Sequence, residues 1–298
     1  MLAGTWRPVP GLREDLRAVK AQTDRPFGVN FVLDWPVQER IDLALEGGTR
    51  VVSFFWGDPG RLVDRCHQAG ALVAHTVGGV EEARRAADAG VDLIVAQGWE
   101  AGGHVRGQVT TMVLVPAVVD AVAPTPVVAA GGIADGRGLA AALALGAAGA
   151  WIGTRFLATP EAAAHPHYQR RVVEAGVDDT VYTEIFDLGW PDAPHRALPN
   201  ATVRAWEAAG RPPSGDRPGE GDVVAYRASG EAVPRYSDTP PVVGMHGDLD
   251  ALALYAGQSA ALVRSRRPAG QVVHGLAAEA LAVLSSLPRS RAIEQASR

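Results

Sequence analysis

The hydrophobic positions of this chain fall into short continuous runs rather than a strict alternation with polar residues. Phe27–Leu33, Arg50–Trp56, Ala71–Val77, Val91–Ala96, Pro126–Ala130 and Ala150–Ile152 each have the length and composition of one strand. Helices are predicted between them: from Pro36, through Leu62 and Cys66, over Glu81–Ala89, around Met112–Val122 and over Gly138–Leu145. Most of these end in glycine, at Gly47-Gly48, Gly70, Gly90 and Gly146, as a left-handed C-terminal cap requires. Leu12–Gln22 adds an amphipathic helix in front. Strand–helix units therefore recur along the first half of the chain at intervals of roughly 20–30 residues.

Strands that are apolar on both faces and separated by helices form a parallel sheet covered by helices. An open doubly wound sheet and a (β/α)8 barrel both satisfy that pattern. The open dinucleotide-binding sheet carries G-x-G-x-x-G after its first strand, and this chain has none there. Its glycines gather instead after the last two runs, at Gly131-Gly132 and Gly153-Thr154. Barrels place a phosphate site in the loops after strands seven and eight. The expected fold is therefore α/β, a TIM (β/α)8-type barrel. Counting back, the visible strands are three to eight. Met1–Gly4 is at most the end of the second, so the expected barrel is N-terminally truncated.

Beyond Ala158 the pattern changes. Helices are predicted over Glu161–Gly176 and near Val203–Ala209, and Arg211–Asp222 reads as a surface loop rich in proline and glycine. Asp248–Arg264 and Val272–Leu287 read as apolar-striped helices. The expected division is a barrel over 1–160, a small α-rich cap over 161–239, and helices within 240–298 that pack back on the barrel or on a partner subunit.

Composition narrows the function. Hydrophobic residues make 47% and charged residues 20%, ordinary values for a globular enzyme. A net charge of -5 gives no reason to expect nucleic acid or an anionic membrane as partner. No apolar run approaches the roughly 20 residues that span a bilayer, and Met1–Pro10 lacks the features of a signal peptide. Cys66 is the single cysteine, which excludes an internal disulfide and a cysteine metal cluster and fits a cytoplasmic location.

The chemistry concentrates in Gln97-Gly98-Trp99-Glu100-Ala101-Gly102-Gly103-His104, directly after a strand. Glycines let backbone approach a bound group, the Gln97 amide both donates and accepts, and His104 is suited to proton transfer. Its imidazole is placed to take a carbon-bound proton or to hydrogen-bond a developing oxyanion. His75, His165, His167, His195 and His246 compete with it. His165-Pro166-His167 has no accompanying carboxylate or cysteine set and reads as structural, so no metal is expected. The loops Gly131-Gly132 and Gly153-Thr154 offer backbone N–H groups to an anion, or simply tighten turns. Asn30 and Gln97 end two strands, where amides suit the edge of a planar heterocycle or satisfy loop backbone. Taken together, the two amides and two glycine loops point to flavin mononucleotide, FMN. Tyr182, Thr183 and Asp187 lie in the expected cap with no assigned role.

The motifs Phe27-Gly28-Val29-Asn30, Gln97–His104 with Gly107, Ala129–Asp135 and Gly153-Thr154-Arg155-Phe156 resemble, jointly and in order, the nitronate monooxygenases, also called 2-nitropropane dioxygenases. The resemblance covers nearly the whole chain. It implies an FMN-dependent TIM barrel, a flavoprotein oxidoreductase that converts an alkyl nitronate such as propionate 3-nitronate, with dioxygen, to a carbonyl compound and nitrite. It further implies that Asn30, Gln97, Gly102, Gly131, Gly132 and the stretch Trp151, Ile152, Gly153, Thr154 hold FMN. His104 is then the catalytic histidine. Relatives begin with a strand, a helix and a glycine-rich second strand, and this chain starts within that second strand. A flavin reductase using NAD(P)H on quinones or enoyl thioesters, or a non-catalytic barrel with a lapsed flavin site, are the alternatives. A homodimer is a further expectation.

Overall fold

The apolar runs pair as parallel strands in chain order. In the computed structural model, which describes residues 1–287, the chain opens with β1 (Leu2–Ala3) and α1 (Val9–Gln22). There follow β2 (Gly28–Val32), α2 (Gln38–Glu46), β3 (Val51–Phe55) and α3 (Leu62–Gln68). Then come β4 (Leu72–Val77), α4 (Val80–Asp88), β5 (Leu93–Gln97) and the short β6 (Gly103–His104). The series closes with α5 (Thr111–Val122), β7 (Val127–Ala130), α6 (Gly136–Ala144), β8 (Gly149–Trp151) and α7 (Thr154–Leu157). Seven of these strands form one sheet, ordered β1-β2-β3-β4-β5-β7-β8 and parallel throughout. Met1–Gly4 does supply a strand: Leu2 and Ala3 register with Val29 and Asn30. The glycines that follow α2, α3, α4 and α6 sit at positive φ, at Gly48, Gly70, Gly90 and Gly146, and stop each helix without Cβ strain.

Side-chain parity decides between the two architectures. Val29, Phe31, Val52, Phe54, Val73, Val77, Ile94 and Ala129 share one face and are buried in a single cluster with Leu12, Ile41, Val63, Ala83, Leu114 and Ala142 of α1 to α6. Every one of those helices thus packs on the same side. The alternate positions Asn30, Phe55, Thr76, Val95, Gln97, Ala130 and Trp151 line a cavity of about 350 Å³ on the other face, together with Met1, Leu2 and Ala3. A doubly wound sheet covers both faces with helices. Helices on one face and a cavity on the other make a curled, barrel-type sheet. Phe31, Phe54 and Ile94 are fully buried, and each contributes about 1.5–3 kcal/mol of apolar burial.

The rest of the described chain carries α8 (Pro166–Glu174), β9 (Val181–Thr183), β10 (His195–Ala197), α9 (Ala201–Ala208), β11 (Val223–Tyr226), β12 (Ala232–Pro234), β13 (His246–Gly247) and α10 (Ala269–Ser286). β6, β10 and β9 form an antiparallel sheet that ties the barrel loop to this region, with His195 opposite both His104 and Thr183. β12, β11 and β13 form another. α10 packs on α6, where Gly136 lies against Glu279 and Ala280. Of the expected C-terminal segment 240–298, residues 288–298 lie outside those described.

Asp248–Arg264 is not a helix. It holds two 3-10 turns, Leu249–Ala251 and Gln258–Leu262, around an extended stretch. That stretch pairs by backbone, Leu198 N–H to Leu254 O and Ala256 N–H to Arg196 O. Leu252, Ala253, Leu254 and Ala256 are buried among three separate clusters. Burial on all sides, rather than one helical stripe, produces the apolar spacing.

Candidate active site

Gln97 ends β5 on the concave face, beside Asn30 and Trp151. The chain then turns, with Gly98 N–H donating to Ala130 O at 2.8 Å. A Cβ on Gly102 would stand 2.2 Å from Gly257 N, so glycine at this position lets two backbones cross. Glu100 secures the crossing. Its carbonyl accepts from Gln258 N–H at 3.0 Å, and its carboxylate accepts from Thr111 N–H at 2.8 Å, at the start of α5. Arg196 clamps the same loop. Its guanidinium donates to Trp99 O at 3.0 and 3.2 Å and lies over the Trp99 ring at 4.6 Å.

This crossing delivers His104 into an aromatic enclosure. Its ring lies 4.1 Å from Trp190 at a 30° tilt, 5.3 Å from Tyr255 and 5.4 Å from His195. Burial, then the neighbouring His195, pushes its pKa down to about 3, so the imidazole is neutral at pH 7. The Gln97 amide donates to His104 O at 3.0 Å. Among the buried polar atoms that have no partner in the described residues are His104 Nε2, Gln97 Oε1 and the Tyr255 hydroxyl. Buried polar groups are normally hydrogen-bonded, so three such atoms around one enclosure mark a place that a ligand completes.

The other histidines separate from it. His75 shares parity with Val73 and Val77 and faces the helix layer, where burial lowers its pKa to about 4. His165 Nδ1 accepts from His167 N–H and caps α8. His195 donates from Nδ1 to Ala193 O at 2.9 Å and accepts from Phe186 N–H, and burial pushes its pKa to about 4. His246 is exposed and stacks on Tyr226.

Gly131 and Gly132 follow β7 at φ of 98° and 74°. The helix behind them is not open to an anion. Asp135 accepts from the Arg137 and Gly138 amides, and Glu279 Oε2 accepts from Gly136 N–H at 3.0 Å. The amides of Gly132, Gly153 and Thr154 donate to no acceptor among the described residues. Gly102, Gly153 and Thr154 line a further cavity of about 350 Å³ with Tyr168 and Tyr255. Thr154 Oγ1 accepts from Gly257 N–H at 3.0 Å, and Ile152 packs against the helix-side core. Tyr182, Thr183 and Asp187 line a separate cavity of about 620 Å³ with Trp206. There Tyr182 OH donates to Val105 O and Asp187 accepts from Arg217 at 2.9 Å.

Trp190 and Tyr255 escape sequence reasoning. Both lie in irregular segments far from His104 in the chain, and neither carries a motif. Trp190 is anchored by Nε1–H to Asp34 Oδ2 at 3.2 Å and packs on Trp35 and Trp56.

Comparison with known proteins gives one family. Residues 34–279 match the family described as nitronate monooxygenase. A relative in Mycobacterium tuberculosis, named (3aS,4S,5R,7aS)-5-hydroxy-7a-methyl-1-oxo-octahydro-1H-indene-4-carboxyl-CoA dehydrogenase, is 42% identical over 214 residues, 71% of this chain. The chain covers 59% of that relative's length. A solved nitroalkane oxidase from Streptomyces ansochromogenes superposes with a TM-score of 0.78 at 30% identity, over 96% of this chain and 89% of that one. FabK from Thermotoga maritima superposes with a TM-score of 0.75 at 30% identity, over 93% and 83%. The ordered motifs, the one-sided helix layer and the family match over most of the chain agree: this protein belongs to the nitronate monooxygenase family.

Proposed function

We propose that this protein oxidises alkyl nitronates, such as propionate 3-nitronate, with dioxygen to a carbonyl compound and nitrite, using FMN. The observation that carries this reading is the enclosure itself: a neutral, buried His104 with Nε2 unpartnered, beside the unpartnered Gln97 Oε1. Asn30 and Gln97 border a concave-face cavity and would meet the edge of the flavin ring. The free amides of Gly132, Gly153 and Thr154 would hold the phosphate, with Gly102, Gly131, Trp151 and Ile152 shaping the surrounding backbone. When bound, FMN supplies the electron transfer. The chain's own part is positional and protonic. A neutral imidazole donates a hydrogen bond to a nitronate oxygen, or takes the proton off a neutral nitroalkane, and Trp190 with Tyr255 keeps water from it. No helix among the described residues is long and apolar enough to cross a membrane.

A second reading has a specific observation behind it. Two relatives, 42% and 39% identical, are named as carboxyl-CoA dehydrogenases. A flavin-dependent reduction of an enoyl thioester, with NAD(P)H as the electron donor, would use the same enclosure.

The test is the purified, FMN-reconstituted chain. Oxygen uptake with equimolar nitrite release on adding propionate 3-nitronate, and no bleaching by NADH under anaerobic conditions, supports nitronate oxidation. Anaerobic bleaching by NADH without nitronate turnover favours the thioester reading. A chain that stays colourless with excess FMN removes both.

A further inference from the structure

A second polar cavity, of about 200 Å³, lies outside the mouth, between α6, the exit of β8 and the start of α10. Arg155, Arg264, Arg267 and Gln271 line it with Asp135 and Glu279. None of the residues expected to hold FMN lines this cavity.

Arg155 is 8% exposed, and its Nη1 donates to the Ser265 carbonyl at 3.2 Å. Among the described residues it forms no ion pair. Burial, then the neighbouring Arg267, lowers its pKa, as expected for a guanidinium held beside another cation. Glu279 is the one carboxylate that acts on Arg155, and it is already bonded to the Gly136 amide, so three guanidiniums around one cavity favour a further anion.

The two carboxylates on the wall are already committed. Asp135 bonds the Arg137 guanidinium at 2.9 Å and caps α6. Glu279 takes the Gly136 amide. Arg264 and Arg267 make no ion pair among the described residues. The start of α10 adds a separate attraction. Pro268 stands at its cap position and offers no side-chain cap, and the first turn itself contains no acid. Ala269 N–H donates to the Glu161 carboxylate at 2.9 Å, so one acid already sits on this helix start, while the Gly270 and Gln271 amides meet no acceptor among the described residues. Gln271 and Val272 of that first turn face the cavity, so the positive end of an 18-residue helix adds to the arginines.

We propose that this cavity binds the phosphate group of a small molecule, separately from the site around His104. The phosphate seats against Arg155, Arg264 and Arg267, and two bidentate guanidinium contacts suit a monoester or a diphosphate. The inference stands apart from the nitronate reading, because no residue assigned there contributes to it.

Isothermal titration calorimetry of the FMN-reconstituted protein tests it, with inorganic pyrophosphate and adenosine 3',5'-bisphosphate as probes. R264Q/R267Q is the comparison, since both side chains are exposed and their loss leaves the core intact. Saturable binding of at least one probe, weakened at least about tenfold in the variant, is the expected result. Tighter binding of the adenosine compound identifies an organic phosphate as the natural occupant, and tighter binding of pyrophosphate an inorganic one. Absence of binding by both probes, or equal affinity in the variant, overturns the proposal. So does binding by the FMN-free protein that disappears once FMN is bound, because the cavity would then be part of the flavin site.

Discussion

The side-chain amide of Gln97 donates to the backbone carbonyl of His104 at 3.0 Å, so the residue that ends β5 holds in place the residue that carries the imidazole. The bond uses the Gln97 N–H and leaves its buried Oε1 without a partner among the described residues. Placement and chemistry at this mouth are therefore one arrangement.

His104→Asn preserves a polar side chain of similar reach but removes proton transfer. Turnover of nitroalkanes and nitronates is expected to fall about 10²–10⁴-fold with flavin content unchanged. Steady-state kinetics and the ratio of visible to ultraviolet absorbance measure the two quantities. Normal turnover in the variant removes the catalytic role from His104.

Trp190→Ala opens the enclosure. Trp190 packs against the His104 ring at a 30° tilt and excludes water from it, and desolvation is the first cause of the depressed pKa. The His104 pKa is expected to rise from about 3 toward the ordinary histidine range. Titration of labelled histidine by NMR follows it directly, and an unmoved resonance would place the desolvation elsewhere.

Gly102→Ala puts a Cβ 2.2 Å from Gly257 N and 2.5 Å from Ala256 C, both backbone atoms. Neither strand of the crossing has a side chain that can yield. A loss of about 2–4 kcal/mol is expected, read as a lowered Tm or as insoluble protein. A Tm matching the parent would mean the crossing is looser than drawn.

Acid destabilises this fold through three buried histidines. His75, His104 and His195 have folded pKa values of about 4, 3 and 4, below their unfolded value. Their stabilisation is complete above the unfolded pKa and is lost as pH falls toward the folded values, because the unfolded chain then binds protons that the folded one refuses. By pH 5 each costs about 2 kcal/mol. Urea unfolding at pH 7.5 and pH 5.0 should show a large drop; equal stability at both would contradict neutral burial of all three.

Cys66 is fully buried, and burial pushes its thiol up to about 11. At pH 8 roughly one thiol in a thousand is ionised. The native protein should resist iodoacetamide and react readily in denaturant, as mass spectrometry would show. Rapid labelling of the native form would mean the α3 layer opens locally.

Much of this was legible in the chain. Continuous apolar runs separated by helical segments made a parallel sheet the expectation, and glycines at Gly70, Gly90 and Gly146 marked where helices stop, because only glycine enters the left-handed region without strain. Glycine-bearing loops after the last two strands favoured a barrel, and the one-sided helix layer agrees. The Asp248–Arg264 segment was misread because apolar spacing alone does not separate a helix stripe from a segment buried all round.

Local pattern thus determined the elements, their order and the loop on which the chemistry is proposed to sit, since backbone propensity and side-chain periodicity act between near neighbours. Tertiary structure alone decided which face each strand residue takes, and so sent Asn30 and Gln97 to the cavity and His75 to the helices. It also brought Trp190 and Tyr255 onto His104 from distant, irregular segments. Desolvation depends on everything that surrounds a group in space. The neutral imidazole, on which the proposed chemistry rests, was therefore outside what any one stretch of sequence contains.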